Sequence, residues 1–80
     1  MRDDQTDQEK LKRLGLRIKK MRKERSFSQE KLADLANVHR TYVGMVERGE
    51  KNVTVVSAEK LATALGISIS YLFKGYEDGK

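Results

Sequence analysis

The sequence predicts an all-α protein, a compact bundle of five helices. Apolar residues recur at spacings of three and four along most of the chain, as they do on one face of a helix. Side chains that cap helices, and glycines that end them, separate these segments. No segment shows the strict alternation of apolar and polar residues that is typical of strands.

The first helix is predicted from Gln8 to about Arg25. Gly15 weakens its first half, so we expect fraying there. The polar residues 1–7 lack an apolar rhythm and are predicted to form a disordered tail. The inward face of the helix is expected to carry Leu11, Leu14, Ile18 and Met21.

The second helix is predicted from a Ser28 cap to about Ala36, and a turn at 37–38 follows it. The third runs from Arg40 to about Arg48, where Gly49 is expected to end it in the left-handed conformation. The second helix is expected to bury Leu32, Ala33, Leu35 and Ala36.

Two further helices complete the bundle. Thr54 is predicted to cap the fourth, which ends before Gly66, and Ser68 the fifth, from Ile69 to Lys74. The domain is thus expected to span residues 8–75, with a frayed end at 76–80.

Composition limits the kinds of function. The chain has 80 residues and no cysteine, so it forms one small domain without disulfides or thiolate metal sites. It has neither a long apolar run nor a signal-peptide core, and a cytoplasmic setting fits. Residues 10–25 hold nine basic residues and one acid, which favours a polyanion: nucleic acid first, an anionic membrane surface second. A solvated lysine-rich face explains this excess equally well.

The third helix exposes unusual residues. At about 100° per residue, Val43, Val46 and Glu47 share its buried side. Thr41, Gly44, Met45 and Arg48 are expected to point outward, and Arg40 stands at the amino end.

The segment FSQEKLADLANVHRTYVGMVERG resembles the helix-turn-helix of the lambda-repressor/Cro-type DNA-binding regulators. The supporting pattern covers roughly residues 11–74, including the small Ala33 at a helix crossing and ALG at 64–66. This resemblance implies a lambda-repressor-like DNA-binding domain, whose third helix enters the major groove of double-stranded DNA by its amino end.

Residue roles follow from this resemblance and from side-chain chemistry. Arg40 can donate two hydrogen bonds to guanine O6 and N7, and Thr41 can contact a base edge or a thymine methyl. Tyr42 is a candidate for a phosphate or sugar contact. Gly44 would let the helix backbone approach the groove wall.

Other residues are expected to hold the DNA backbone or the fold. Members of the family bond a phosphate at the positions of Ser28 and Gln29, where the positive end of a helix dipole favours an anion. An ion pair is implied between Arg22 and Glu47, which would be important for stability if it is buried and worth little if it is exposed. Further candidates for backbone contact, which are equally expected to be solvated, are Arg48, Lys51 and Asn52.

Three residues depart from the family pattern. Ser26 stands where a glycine often ends the first helix, so a left-handed conformation there would be strained. His39 replaces the usual Ser or Thr cap of the third helix; a poor cap, it is expected at the surface or near a phosphate. Val53 replaces a frequent proline.

A homodimer is expected, because one recognition helix reads too few base pairs for a regulator. Two copies on a two-fold axis would bind a palindromic operator. The apolar residues that exceed the needs of a small core, and so are assigned to the dimer interface, are Val56, Ile67, Ile69, Leu72 and Phe73. The core of the single chain is expected to include some of them.

Within the family, the segment HRTYVGMVERGEKNVT most resembles the small controller proteins of restriction–modification systems. Such proteins regulate their own gene and the endonuclease gene as activators and repressors, which makes RNA polymerase a candidate partner. The alternative is an antitoxin or another stand-alone repressor that also binds a protein. The sequence has no constellation typical of an enzyme, and no metal or other cofactor is predicted.

Overall fold

The computed structural model describes residues 4–74, with the side chains of residues 7–74, and this part of the chain is all-α as predicted. It contains five helices and no strand. The helices are α1 (Asp4–Glu24), α2 (Gln29–Ala36), α3 (Arg40–Glu47), α4 (Val55–Leu65) and α5 (Ile69–Leu72).

The helix ends differ from the prediction in two places. α1 begins at Asp4 rather than Gln8, so the predicted disordered tail is wrong for residues 4–7. α5 ends at Leu72, two residues before the predicted end. The remaining tail residues 1–3 and the predicted frayed end 76–80 lie outside the described residues.

Four side chains cap the amino ends of α2 to α5. The hydroxyls of Ser28, Thr54 and Ser68 each accept a hydrogen bond from the backbone N–H three residues later, at 2.9–3.0 Å. His39 also caps its helix, because its Nδ1 accepts from Thr41 N–H at 3.3 Å. His39 is exposed, as expected for a surface residue, and its cap bond is the longest of the four.

Left-handed residues end the helices as predicted. Gly49 and Gly66 both have φ of 75°, after α3 and α4 respectively. Ser26 has φ of 58°, so the strained conformation expected where the family often has glycine is present. Asn37 ends α2 with φ of 58°.

All five helices contribute buried side chains to one core. Of the residues predicted to be buried on α2, Leu35 is 48% exposed, so that prediction is wrong. It lies beside the buried stripe of a helix of only eight residues. The fully or nearly fully buried apolar residues are Leu14, Ile18, Met21, Leu32, Ala33, Ala36, Val43, Val46, Ala58, Leu61, Ala62, Leu65 and Leu72.

Gly15 lets α1 and α3 cross closely. It is buried inside a continuous helix, which contradicts the predicted fraying. A β-carbon at Gly15 would lie 2.8 Å from the carbonyl carbon of Glu47 and would also meet the carbonyl oxygen of Val46. The glycine therefore allows backbone contact at the cost of helix propensity.

Two arginines, Arg17 on α1 and Arg25 directly after it, bond to the carboxyl ends of other helices. Arg17 donates to the carbonyl oxygens of Leu72 at 3.1 Å and Tyr71 at 2.8 Å, and its guanidinium stacks on the Tyr71 ring. Arg25 donates to the carbonyl oxygen of Leu65 at 2.7 Å. These bonds satisfy carbonyls that a helix end leaves unpaired. Within residues 4–74, no helix is long and apolar enough to cross a membrane.

Candidate nucleic-acid interface

A buried polar network fixes α3 against α1 and α2. Arg22 and Glu47 form the predicted ion pair through two hydrogen bonds, Nε to Oε2 at 2.6 Å and Nη2 to Oε1 at 3.1 Å. The third member is Gln29, whose Nε2 donates to Oε1 of Glu47 at 3.0 Å. Arg22 also donates to the carbonyl oxygen of Phe27 at 2.8 Å, so the network reaches the start of α2.

Burial makes this network sensitive to the loss of one partner. Arg22 is 7% and Glu47 6% exposed. Removing either partner would leave the other charge buried and unpaired, which costs roughly 3–5 kcal/mol in comparable cases. The network therefore fixes the orientation of α3.

The amino end of α3 presents two polar side chains to solvent. Arg40 and Thr41 are both exposed, as expected for residues that contact bases. The backbone N–H of Thr41 bonds to His39, so the first turn that carries both side chains is capped. On the same helix Val43, Val46 and Glu47 are buried as predicted.

Two other residues of α3 lie differently from the prediction. The hydroxyl oxygen of Tyr42 is buried and has no hydrogen-bond partner among the described residues, so in this conformation it cannot contact a phosphate. Its side chain packs against the core instead. Gly44 is buried rather than outward, because the side chains of Gln29 and Arg48 cover it. It therefore cannot form the predicted contact with a groove wall in this conformation.

Residues at the start of α2 have structural partners as well as predicted DNA contacts. Ser28 is exposed and caps α2, which leaves it at the positive end of the helix dipole. Gln29 is half-buried, and one of its N–H groups is used by Glu47. A replacement of Gln29 would therefore disturb the position of α3 as well as any phosphate contact.

The loop after α3 adds three exposed polar residues, Arg48, Lys51 and Asn52. Arg48 Nε lies 3.0 Å from an oxygen of Glu50, and both side chains are exposed. This hydrogen bond and the charge of Glu50 raise the pKa of Arg48 above its ordinary value, so the guanidinium stays charged. An ion pair this exposed is easily exchanged for another anion.

The residues assigned to a dimer interface divide into three kinds. Leu72 is fully buried within the single chain, so its assignment to an interface is wrong. Val56 is 61% exposed. The other three, which are partly buried against the core, are Ile67, Ile69 and Phe73.

Several contacts were missed by the sequence analysis. The Gln29–Glu47 bond and the contact of Gly49 with Lys12 depend on residues far apart in the chain. Gly15 could have been found, since a small residue inside a helix is a signal for a close crossing, as it was for Ala33. Among the described residues, no group of His, Asp and Glu side chains could hold a metal ion.

Comparison with known proteins agrees with this geometry. The family model described as helix-turn-helix matches residues 18–72. The control protein C.MunI from a Mycoplasma species is 42% identical over 66 residues, which cover 81% of this chain and 89% of the relative.

Two solved structures share the fold. The restriction–modification controller protein C.AhdI from Aeromonas hydrophila has a TM-score of 0.77 at 48% identity, over 79% of this chain and 96% of its own. The controller protein C.Esp1396I, a tetramer in complex with its 35-base-pair operator, has a TM-score of 0.77 at 33% identity, over 88% and 92% of the two chains. The chain therefore belongs to the helix-turn-helix family of transcriptional regulators, among the restriction–modification controller proteins.

Proposed function

We propose that this protein is a transcriptional regulator that binds a palindromic operator in double-stranded DNA as a homodimer. The observation that carries the proposal is the exposure of Arg40 and Thr41 at the amino end of α3. The buried network around Glu47 fixes the opposite side of this helix against α1 and α2. A guanidinium and a hydroxyl at that position suit hydrogen bonding to base edges in the major groove.

The proposal assigns the residues around α3 to the DNA backbone. Ser28 and Gln29 would approach one phosphate at the amino end of α2, and Arg48, Lys51 and Asn52 would hold the strand after α3. Backbone contacts of this kind position a protein on the duplex, whereas base contacts carry the sequence preference.

The proposed targets are the protein's own gene and the gene of a restriction endonuclease, as the likeness to controller proteins suggests. A regulator of these genes acts where bacterial DNA lies, so the proposal includes a cytoplasmic location. RNA polymerase stays a candidate partner, and the exposed acids Glu30 and Asp34 are a candidate contact for it.

Selection from a pool of random duplexes tests DNA recognition. The wild-type protein is expected to enrich a palindrome at two salt concentrations. Arg40→Ala should lose the base preference, with about 1–3 kcal/mol less discrimination at the contacted base pair. Lys51→Ala removes the same charge and should weaken binding to all duplex sequences alike. The slope of log affinity against log salt concentration should fall in magnitude by about 0.9. Identical behaviour of the two variants would contradict this division of roles.

The dimer is proposed to form through the apolar surface of α4 and α5. Val56 on α4 and the partly buried Ile67, Ile69 and Phe73 at or beside α5 supply the apolar area. Analytical ultracentrifugation should show a dimer at micromolar concentration, with Val56→Glu shifted toward monomer. A wild-type protein that remains monomeric at high micromolar concentration would rule the dimer out.

A further inference from the structure

A row of lysines lies on the exposed side of α1. Lys12, Lys19 and Lys23 are all exposed. At about 100° per residue they lie within about 40° of one another around the helix, and they span about 16 Å along its axis. They therefore lie along one side of α1, with the exposed Leu16 between Lys12 and Lys19, and we call these three residues the lysine row.

The lysine row adjoins α3. Gly15 and Arg22, which contact α3, lie about 60–80° around α1 from Lys12. Lys12 itself packs against Gly49, since a β-carbon built on that glycine would lie 2.7 Å from Cγ of Lys12. Gly49 is part of the loop that carries Arg48, Lys51 and Asn52, so the row begins beside the proposed backbone contacts.

The opposite side of α1 is used differently. Arg17 lies about 140° around the helix from Lys12 and is bonded to the carboxyl end of α5. The lysine row thus borders the side of the molecule that carries α3 and its following loop, rather than the side that carries α5.

The three lysines of the row form no ion pair within the described part of the chain, and the nearest acid that precedes the row on α1 is Glu9, one turn before its first lysine. From residue 10 to the end of α1 the sole acid is Glu24, whose carboxylate lies 3.9 Å from Arg25. Lys19 and Lys23, four residues apart, repel each other in the free protein, and a polyanion on this surface would relieve that repulsion.

We propose that the lysine row binds phosphates of the DNA backbone that flank the base pairs read by α3. This inference rests on the proposed function, and it extends the interface from the helix-turn-helix to α1. Lysine suits the role, because its long flexible stem carries a point charge that needs no fixed geometry to pair with a phosphate. Such contacts add affinity without adding base preference.

The test replaces all three lysines by glutamine and measures binding to the selected palindrome and to a random duplex across a series of salt concentrations. The slope of log affinity against log salt should fall by about 0.9 for each lysine that contacts a phosphate, hence by roughly 2.7 for three. Affinity for both duplexes should fall together, which leaves their ratio unchanged.

The matched control replaces Lys10, Lys60 and Lys74. These lie on the α5 side of α1, on α4 and after the end of α5, respectively, so the same charge is removed away from the lysine row. It should keep nearly the wild-type slope. Thermal unfolding should show the lysine-row variant at least as stable as the wild type, because like charges have been removed, so weaker binding would not reflect unfolding.

Three results would overturn the inference. One is a wild-type slope in the lysine-row variant, and another is an equal loss in the control. The third is binding of the wild type to phosphatidylserine vesicles that the variant loses while its DNA slope is unchanged. The proposed function is tested separately: it fails if the wild type shows no base preference, whereas the slope on random duplex still reports on the lysine row. If the wild type binds no duplex, both fail.

Discussion

At the scale of single residues, the left-handed conformation of Ser26 is a source of strain in the free protein. Ser26 lies between α1 and α2 and has a φ of 58°. This conformation lets the backbone N–H of Phe27 donate to the carbonyl oxygen of Arg22 at 3.1 Å. Only glycine adopts this conformation at no steric cost, and asparagine tolerates it better than serine does.

Ser26→Gly should therefore stabilise the protein. The relief of left-handed strain exceeds the added entropy of glycine in the unfolded chain, so we expect a gain of about 0.5–1 kcal/mol in the free energy of unfolding. Urea denaturation measures it. Asn37→Gly, at the same φ, is the control and should gain less. An equal gain at both positions would show that strain at Ser26 is not special.

At the same scale, Glu50 is expected to limit the proposed contact of Arg48 with DNA. The two side chains are paired at 3.0 Å in the free protein, and Glu50 also adds negative charge beside the proposed phosphate site. Glu50→Gln should therefore raise the affinity for any duplex, since it releases Arg48 and removes repulsion.

Fluorescence anisotropy with a random duplex measures this effect at low salt. Glu59→Gln, an exposed acid on α4, has the same change of charge and should have the smaller effect. Equal gains would indicate that only net charge matters, and a loss of affinity for Glu50→Gln would show that the carboxylate holds Arg48 in place for binding.

At the scale of helices, two glycines inside helices have different consequences for packing. Gly15 meets backbone atoms of α3 that cannot move independently. Gly44 is covered by the ends of two flexible side chains, with Arg48 Nη1 at 3.3 Å from the position of an added β-carbon. The same substitution should therefore have opposite effects at the two sites.

Gly15→Ala should destabilise the protein by about 1–3 kcal/mol, because α1 and α3 must separate to admit the methyl group. Gly44→Ala should be neutral or stabilising by up to about 1 kcal/mol, as alanine favours the helix. Chemical denaturation of the two variants checks both values. A stable Gly15→Ala would mean that the helices do not cross as closely as the structure has them.

At the scale of the whole molecule, local signals were predicted well from the sequence and long-range packing was not. The caps at Ser28, Thr54 and Ser68 are local, because a hydroxyl bonds a backbone N–H three residues away. The same holds for the glycines that end α3 and α4.

The predictions that are wrong concern residues whose burial depends on elements far away in the sequence. The sequence pattern indicates a weak point of a helix at Gly15, because it does not show that α3 packs there. The pattern places Gly44 outward, because it does not show that the side chain of Gln29 covers this glycine. The pattern places Tyr42 at the surface, whereas in the structure its side chain packs against the core. The ion pair of Arg22 and Glu47 was an exception, since the family resemblance supplied the long-range information that periodicity lacks.

The central claim is that the amino end of α3 reads base edges, and methylation interference at guanine N7 tests it most directly. A methyl group on N7 removes the acceptor that Arg40 would use. Methylation of particular operator guanines should weaken binding by the wild type, by about the 1–3 kcal/mol of the Arg40 contact, and have no further effect on Arg40→Ala. If the same guanines interfere equally with both proteins, Arg40 does not contact them, and the account of α3 as the recognition helix is contradicted.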